Sequence, residues 1–370
     1  MSSATTTGGA TDHDTRLAPL RQRIDAIDGQ VLALLQERAR AAMAIGEVKR
    51  EAGAPVWRPE REAQVLDRLA AAAADGPLGA DAVRAVWREV MSACRALERR
   101  LRVAYLGPAG TFSEHAVLTH FGNSVDLVAC PSFDEVFRAA EAGTADFGVV
   151  PVENSTEGAV NRSLDLLLAT PLQICGEVSM PIAHSVLAQG ASLEGVERIC
   201  AHQQALAQCA GWLDRNAPGV ARDAVASNAE GARRASQDPR VAAIASERAA
   251  DRYGLQVVAR NVQDDVHNRT RFLVLGSTQC APSGADQTSL ILSVPDRAGA
   301  VHALIEPLAR HGVSMKRLES RPARQGGWEY FFYIDLIGHR DDPQVAPALA
   351  ELRQNAAFFK LVGSYPRARN

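Results

Sequence analysis

From Leu17 to about Ala52 the only glycines are Gly29 and Gly46, and apolar residues return at helical spacing as Leu20, Ile24, Ile27, Val31, Leu34, Leu35 and Ile45. One helix of that length runs roughly 50 Å at about 1.5 Å per residue, longer than a small domain is wide. Its apolar stripe cannot be covered by a short stretch of the same chain, so the pattern predicts packing against another chain. Two shorter helices are predicted from Pro59 to Ala74 and from Asp81 to Arg100, separated by the stop signals of Asp75-Gly76-Pro77.

At Leu101 the pattern changes. Arg102-Val103-Ala104-Tyr105-Leu106 reads as a buried strand, and Gly107-Pro108-Ala109-Gly110-Thr111 reads as a turn entering a helix. Short apolar strands then alternate with helical stretches, among them Phe147 to Val150, Arg240 to Ala245 and Phe272 to Leu275, which predicts an α/β unit over 101–278. Pro282-Ser283-Gly284 predicts a linker across 279–287. Beyond it, Ser289 to Val294, Ala300 to Arg310, Val313 to Ser320, Tyr330 to Leu336, Val345 to Arg353 and Phe358 to Val362 read βαββαβ, a small α+β ferredoxin-like domain over 288–366. The Ser-, Thr- and Gly-rich start predicts a disordered tail over 1–14, leaving 15–100 to the all-α domain.

A length of 370 residues suits two or three such units. Forty basic against forty-three acidic residues give a net charge of -3, which supplies no global attraction for nucleic acid or an anionic membrane. No stretch approaches the roughly 20 apolar residues of a membrane span, and the start resembles neither a signal nor a transit peptide. Six scattered cysteines form no C-x-x-C pair, so reduced thiols and a cytoplasmic location are expected. No His, Cys or carboxylate spacing points to a metal, and the turn after Leu106 lacks the third glycine of a dinucleotide fingerprint, so no cofactor is expected.

The cations of the long helix fall into two groups. Arg38 and Lys49 are eleven residues apart, nearly on one face and roughly 16 Å apart along the axis, within joint reach of one small dianion. Arg21 lies roughly 26 Å before Arg38 and off that face, so it joins such a site only from another chain. Leu20-Arg21-x-x-Ile24-x-x-Ile27-Asp28, Leu34-Leu35-x-Glu37-Arg38, Ile45-Gly46-x-x-Lys49 and Arg61-Glu62 together resemble the all-helical chorismate mutase family over about residues 17–98. The resemblance implies an intertwined homodimer of three-helix chains without metal or nucleotide. Arg21 of one chain would join Arg38, Lys49, Arg61, Glu62, Cys94 and Glu98 of the other around chorismate, with Arg38, Lys49 and Glu98 acting in catalysis. Arg58 stands where the family has aspartate, and Glu98 where it commonly has glutamine.

Tyr105 to Ser113, the segment Pro151-Val152-Glu153-Asn154-Ser155-Thr156-x-Gly158 and the segment Asn268-x-Thr270-Arg271-Phe272 place polar groups at the ends of apolar strands. They resemble prephenate dehydratase over about residues 102–276. That implies two α/β lobes, like those of periplasmic binding proteins, with prephenate between them and chain crossings near Met180 and Gln263. Thr270 would assist departure of the hydroxyl group, and Arg271 would hold a carboxylate. Thr111, Ser113, Glu153, Asn154, Ser155, Gln208, Asn268 and Phe272 would contribute to the cleft. Taken singly, Ser113 reads equally well as a helix cap, Glu153-Asn154 as a turn and His202 as a satisfied histidine.

The C-terminal unit resembles an ACT domain, whose family binds phenylalanine between paired copies at positions matching Gly299, Ala300, Val301, Glu319, Ser320, Arg321 and Pro322. Together the resemblances imply a bifunctional enzyme that turns chorismate into prephenate and prephenate into phenylpyruvate, with phenylalanine as effector. The alternatives are a dehydratase whose helical domain only dimerises, and a non-catalytic amino-acid sensor. A carboxyl at Glu98 donates to an ether oxygen only when protonated. Mutase turnover is therefore expected to rise toward acid between about pH 8 and 5, and a flat initial-rate profile would contradict this role for Glu98.

Overall fold

The computed structural model describes residues 12–294, 298–322 and 330–368. Helices α1 (Asp12–Glu51), α2 (Pro59–Ala72) and α3 (Ala80–Glu98) form the N-terminal unit. The helix begins three residues inside the expected tail and carries Pro19 in its interior. Asp14 near this earlier start suits the positive end of the helix dipole, and one proline removes only one intrahelical bond. Residues 1–11 of the expected tail lie outside the described residues.

Along α1 the residues Leu20, Ile24, Ile27, Val31 and Leu34 are exposed, Leu34 by 65 %, so the stripe seen in the sequence has no cover among the described residues of one chain. The second half of α1 packs on α3 around Gly46. A Cβ there would sit 2.6 Å from Glu98 Cγ, so glycine is what lets the Glu98 side chain lie across α1.

The first α/β lobe contains β1 (Arg102–Leu106), α4 (Phe112–Phe121), β2 (Asp126–Cys130), α5 (Phe133–Glu141), β3 (Phe147–Asn154), β4 (Gly158–Ala159), α6 (Asn161–Ala169) and β5 (Gln173–Pro181). The second contains β6 (Ser185–Ala188), β7 (Arg198–Ala201), α7 (Gln203–Gln208), α8 (Ala210–Asn216), β8 (Ala221–Ala224), α9 (Asn228–Ala235), β9 (Val241–Ala245), α10 (Glu247–Tyr253) and β10 (Gln256–Ala259). The chain then returns to the first sheet as β11 (Arg269–Gly276), giving the orders β2-β1-β3-β11-β5, with β4 beside β3, and β10-β6-β9-β7-β8. The crossings fall where the sequence suggested, and Gln263 Oε1 ties them together by accepting from the His184 N–H at 2.9 Å.

The third sheet follows from β12 (Asp286–Ser293), α11 (Ala300–Arg310), β13 (Met315–Pro322), β14 (Tyr330–Ile337), α12 (Val345–Asn355) and β15 (Phe358–Pro366), in the order β13-β14-β12-β15. This is the expected βαββαβ unit, with its helices packed together on one face.

One apolar core runs through all three units. Val103, Val149 and Leu275 of the first lobe share it with Trp57 from the α1–α2 connection and with Ile291, Tyr333, Val362 and Tyr365 of the third sheet. Gly363 permits the sheets to meet, since a Cβ on it would lie 2.4 Å from the Ile174 carbonyl oxygen. Lys360 donates to the carbonyls of Leu167, Leu168 and Thr170, a cation at the negative end of α6. The stretch expected to be a linker is accordingly pinned: Cys280, Asp286 and Gln287 are buried, and β12 already begins at Asp286.

Where the helical unit meets the first lobe, Trp57 packs on Phe121 and Phe147 at centroid distances of 5.0 and 4.8 Å, with His120 at 5.5 Å. His120 Nε2 is shut away without a hydrogen-bond partner. Burial foremost, then Arg88 and Arg95, pushes its pKa down to about 3, and burial with Arg248 pushes that of His115 to about 4. Unfolded histidine titrates near pH ~6.5, so stability should be full above that value and fall as pH drops toward the folded values. The thermal unfolding midpoint should therefore decline between about pH 6.5 and 4.5, and less steeply in His120→Asn than in the parent. Equal slopes in differential scanning calorimetry would overturn this assignment.

Candidate active sites

The lobes enclose a cleft of about 980 Å³. On its floor the strand register sets Thr270 of β11 directly opposite Asn154 of β3. Asn154 Nδ2 donates to Thr270 Oγ1 and to Asn268 Oδ1, both at 2.8 Å. Its Oδ1 accepts from the N–H groups of Thr156 and Glu157 at 3.0 Å, which decides which end of the amide faces Thr270. Because Oγ1 already accepts a bond, its own hydrogen is free to point into the cleft.

The chain of contacts continues across the lobes. Asn268 Nδ2 donates to Gln208 Oε1 at 3.3 Å, and His184 Nε2 meets the same oxygen at 3.1 Å. Since that oxygen can only accept, His184 Nε2 carries the proton. Burial lowers the His184 pKa against the opposing effect of the Gln208 bond, so the ring is held neutral at physiological pH. Sequence reading missed His184, Phe112, Ile182 and Asn228 as lining residues. His184 lies just beyond β5 at a crossing between lobes, which only the lobe geometry turns into a site position.

Of the expected cleft residues, Glu153, Ser155, Asn268 and Arg271 are not among those lining it, and two of these point to the opposite face of the sheet. Successive strand residues point to opposite faces, so Arg271 and Glu153, paired across β11 and β3, face away from Thr270 and Asn154. Arg271 donates to Glu177 at 2.7 Å, to Asp335 at 2.5 Å and to the Tyr365 hydroxyl at 2.9 Å. Glu153 pairs with Arg317 at 3.1 Å. Both belong to the contact with the third sheet, which corrects the expectation that Arg271 grips a carboxylate in the cleft. Ser155 has a local task, its Oγ accepting from the Arg269 N–H at 2.9 Å.

Among the described residues lining the cleft there is no lysine or arginine. What faces it instead are helix starts. Thr111 caps α4, its Oγ1 accepting from the Glu114 N–H, so Ser113 is not the cap but a buried lining residue within the first turn. Ser227 caps α9 from the second lobe in the same way, and both caps line the cleft. Helix N-termini present N–H groups and positive potential, so each lobe offers an anion-binding end. His202 caps α7 through Nδ1, which accounts for its polar position.

A second pocket, of about 410 Å³, lies on the helical unit. Arg38 and Lys49 of α1, Arg61 and Glu62 of α2, and Cys94 and Glu98 of α3 line it together with Arg58 and Arg95. Lys49 Nζ donates to the Val56 carbonyl at 2.9 Å and pairs with Glu98 at 3.4 Å. Arg58 is drawn to Glu60 at 2.8 Å. Glu62 accepts from Trp57 Nε1 at 3.1 Å and from Arg95, whose other Nη donates to the Phe121 carbonyl at 2.6 Å. One pocket wall is thus braced on the α/β unit. Arg21 is exposed and is not among the residues lining this pocket.

In the third unit Gly299 enters α11 with φ +78, a left-handed conformation that suits glycine, and Ala300 and Val301 form the first turn. Glu319 lies 3.7 Å from Arg317 on edge strand β13, Ser320 and Pro322 are exposed there, and Arg321 pairs with Asp165 of α6 at 2.9 Å.

Three comparisons bear on these sites. Residues 20–99 match the family Chorismate mutase type II, 103–280 Prephenate dehydratase and 288–354 the ACT domain. A bifunctional chorismate mutase/prephenate dehydratase of Neisseria gonorrhoeae is 50% identical over 358 residues, covering 96% of this chain and 98% of that protein. One of Pseudomonas aeruginosa is 45% identical over 359 residues, covering 95% and 98%. Among solved structures, a prephenate dehydratase of Arthrobacter aurescens in complex with L-Phe is similar at TM-score 0.67 and 34% identity, covering 72% of this chain and 90% of that one.

Proposed function

The chain belongs to the family of bifunctional chorismate mutase/prephenate dehydratases, and from that membership we propose how its own residues carry out and control the two reactions. The helical domain rearranges chorismate to prephenate. The two-lobed domain converts prephenate to phenylpyruvate, carbon dioxide and water, and the ACT domain is regulatory.

The observation that carries the dehydratase assignment is the Asn154–Thr270 pair on the cleft floor. Prephenate aromatises when the bond to its ring carboxylate breaks and the electron pair moves through the ring to expel the hydroxyl group. Hydroxide leaves slowly unless a donor meets it. Asn154 turns the Thr270 hydrogen toward the cleft, and Thr270 donates a hydrogen bond to the departing oxygen, which becomes water by taking a proton that ultimately comes from solvent. The remaining carboxylate is held by the starts of α4 and α9, one from each lobe, so binding favours closure. The lack of lysine and arginine among the described lining residues favours decarboxylation, because a strong counter-ion beside the ring carboxylate would stabilise the charge that must be lost.

For the mutase, Arg38, Lys49 and Arg61 hold the dianion in its folded conformer, and Cys94 and Glu98 approach from α3. Arg21 enters from a second chain, which covers the exposed stripe of α1 and makes the homodimer the smallest active unit. Phenylalanine bound at Gly299, Ala300, Val301 and Glu319 to Pro322 of paired ACT domains lowers dehydratase activity. The cytoplasm is the compartment that suits free, buried cysteines.

Two experiments test these assignments. Thr270→Ala should lower dehydratase kcat on the order of 10²- to 10⁴-fold with KM nearly unchanged, and Thr270→Ser should recover most of it. Wild-type turnover by Thr270→Ala, followed as phenylpyruvate absorbance, would sink the reading. Ile27→Glu should split the dimer in sedimentation equilibrium and abolish mutase turnover. A monomer with full mutase activity would refute the shared site.

A further inference from the structure

Thr270 and Asn154 face the cleft, but the residues beside them, Arg271 and Glu153, end in the ACT domain. We propose that Arg271 is a positioning residue for the dehydratase reaction, holding β11 so that Thr270 meets the leaving group, and that its grip depends on Asp335 and Tyr365 of the regulatory domain. This inference rests on the role given to Thr270 above and adds the route by which the ACT domain reaches it.

Every acceptor around the Arg271 guanidinium is itself held from the C-terminal domain. Asp335 on β14 also accepts from the Ser289 hydroxyl of β12. The Tyr365 hydroxyl on β15 lies 2.7 Å from Ser289 Oγ and accepts from Gln287 Nε2 at 3.0 Å. Glu177, the one carboxylate supplied by the dehydratase domain, accepts from the Ala368 N–H at 2.8 Å through its other oxygen. The cluster is nearly dry, with side-chain exposures of 17% for Arg271, 9% for Glu177 and 7% for Asp335. Such a network has few alternative arrangements, because a displaced partner leaves a charge in a site with little water.

The neighbouring strand repeats the arrangement. Glu153, next to Asn154, pairs with Arg317 of β13 at 3.1 Å, and Arg317 lies 3.7 Å from Glu319, the first residue of the proposed effector segment. Both strands that supply the catalytic pair are therefore tied from behind to the regulatory sheet. They also change register with one another between Arg271 and Phe272, so the ladder there is interrupted and constrains Thr270 less than a regular pairing would. A shift of β13 pulls on Glu153 through Arg317 and a shift of β14 pulls on Arg271 through Asp335, and the strand carries either pull to the opposite face.

The test uses full-length protein and measures dehydratase kcat and KM, mutase kcat and phenylalanine binding by calorimetry. Asp335→Asn should lower dehydratase kcat on the order of 10- to 100-fold with KM within about two-fold, leave mutase kcat unchanged, and still bind phenylalanine while responding to it weakly. Arg317→Gln, which leaves the central cluster intact, should show the same pattern to a smaller degree and serves if Asp335→Asn does not fold. Arg271→Lys should retain more kcat than Arg271→Met. A wild-type kcat and wild-type phenylalanine response in Asp335→Asn, or in Arg317→Gln when it is the one that folds, would overturn the proposal, even with a lowered unfolding temperature. If those variants are silent while Thr270→Ala is inactive, only the coupling fails; if Thr270→Ala is active, the assignment of the reaction fails first.

Discussion

The two-residue period of β11 governs this molecule. Thr270 and Phe272 open onto the cleft while Arg271, between them, is buried against a second sheet. One strand thus serves as the floor of the proposed dehydratase site and the seam of a domain interface. The seam is expensive to disturb: removing one partner from a buried ion cluster costs about 3–5 kcal/mol, chiefly because the others stay charged without compensation. Tyr365 responds to the same environment, its hydroxyl pKa driven upward by burial foremost, so it stays a neutral donor and acceptor.

The shared core extends this constraint to the whole chain. Trp57 brings the helical domain into the first lobe, and Val362 and Tyr365 bring the regulatory sheet into it from another side. Close backbone approach at Gly363 leaves little room for the sheets to slide. Glu62 faces the mutase pocket and, through Arg95, reaches the end of α4, whose opposite end opens the dehydratase cleft. Among the described residues the three domains are therefore joined by packed elements.

As proposed, the two sites meet their anions differently. Chorismate keeps both carboxylates, and the mutase pocket supplies fixed arginine and lysine charges on an open helical surface. Prephenate must give one carboxylate up as carbon dioxide, and the dehydratase cleft offers helix starts, hydroxyls and amides with no basic side chain among its described lining residues. Weaker, directional groups can hold one end of the substrate without stabilising the charge that has to disappear.

Periodicity and punctuation carried much of this in the sequence itself. The 3.6-residue repeat defined α1 and its uncovered stripe, the spacing of Arg38, Lys49 and Arg21 set Arg21 apart from the pocket that the other two line, and alternating strands and helices marked the α/β region and the βαββαβ end. Asn154, Asn268 and Thr270 were likewise legible as a polar set at the ends of apolar strands. The face on which each strand residue would fall was not, since adjacent residues look equally available until a sheet acquires neighbours on both sides. Arg271 and Glu153 resembled cleft residues because charge near a motif suggests substrate, and only the docking of a third sheet made the back of β3 and β11 a place where charge could be paired. The segment 279–287 looked like a linker for the same reason: local composition reports how a backbone can bend, while burial of Cys280, Asp286 and Gln287 depends on surfaces that residues far along the chain bring to it.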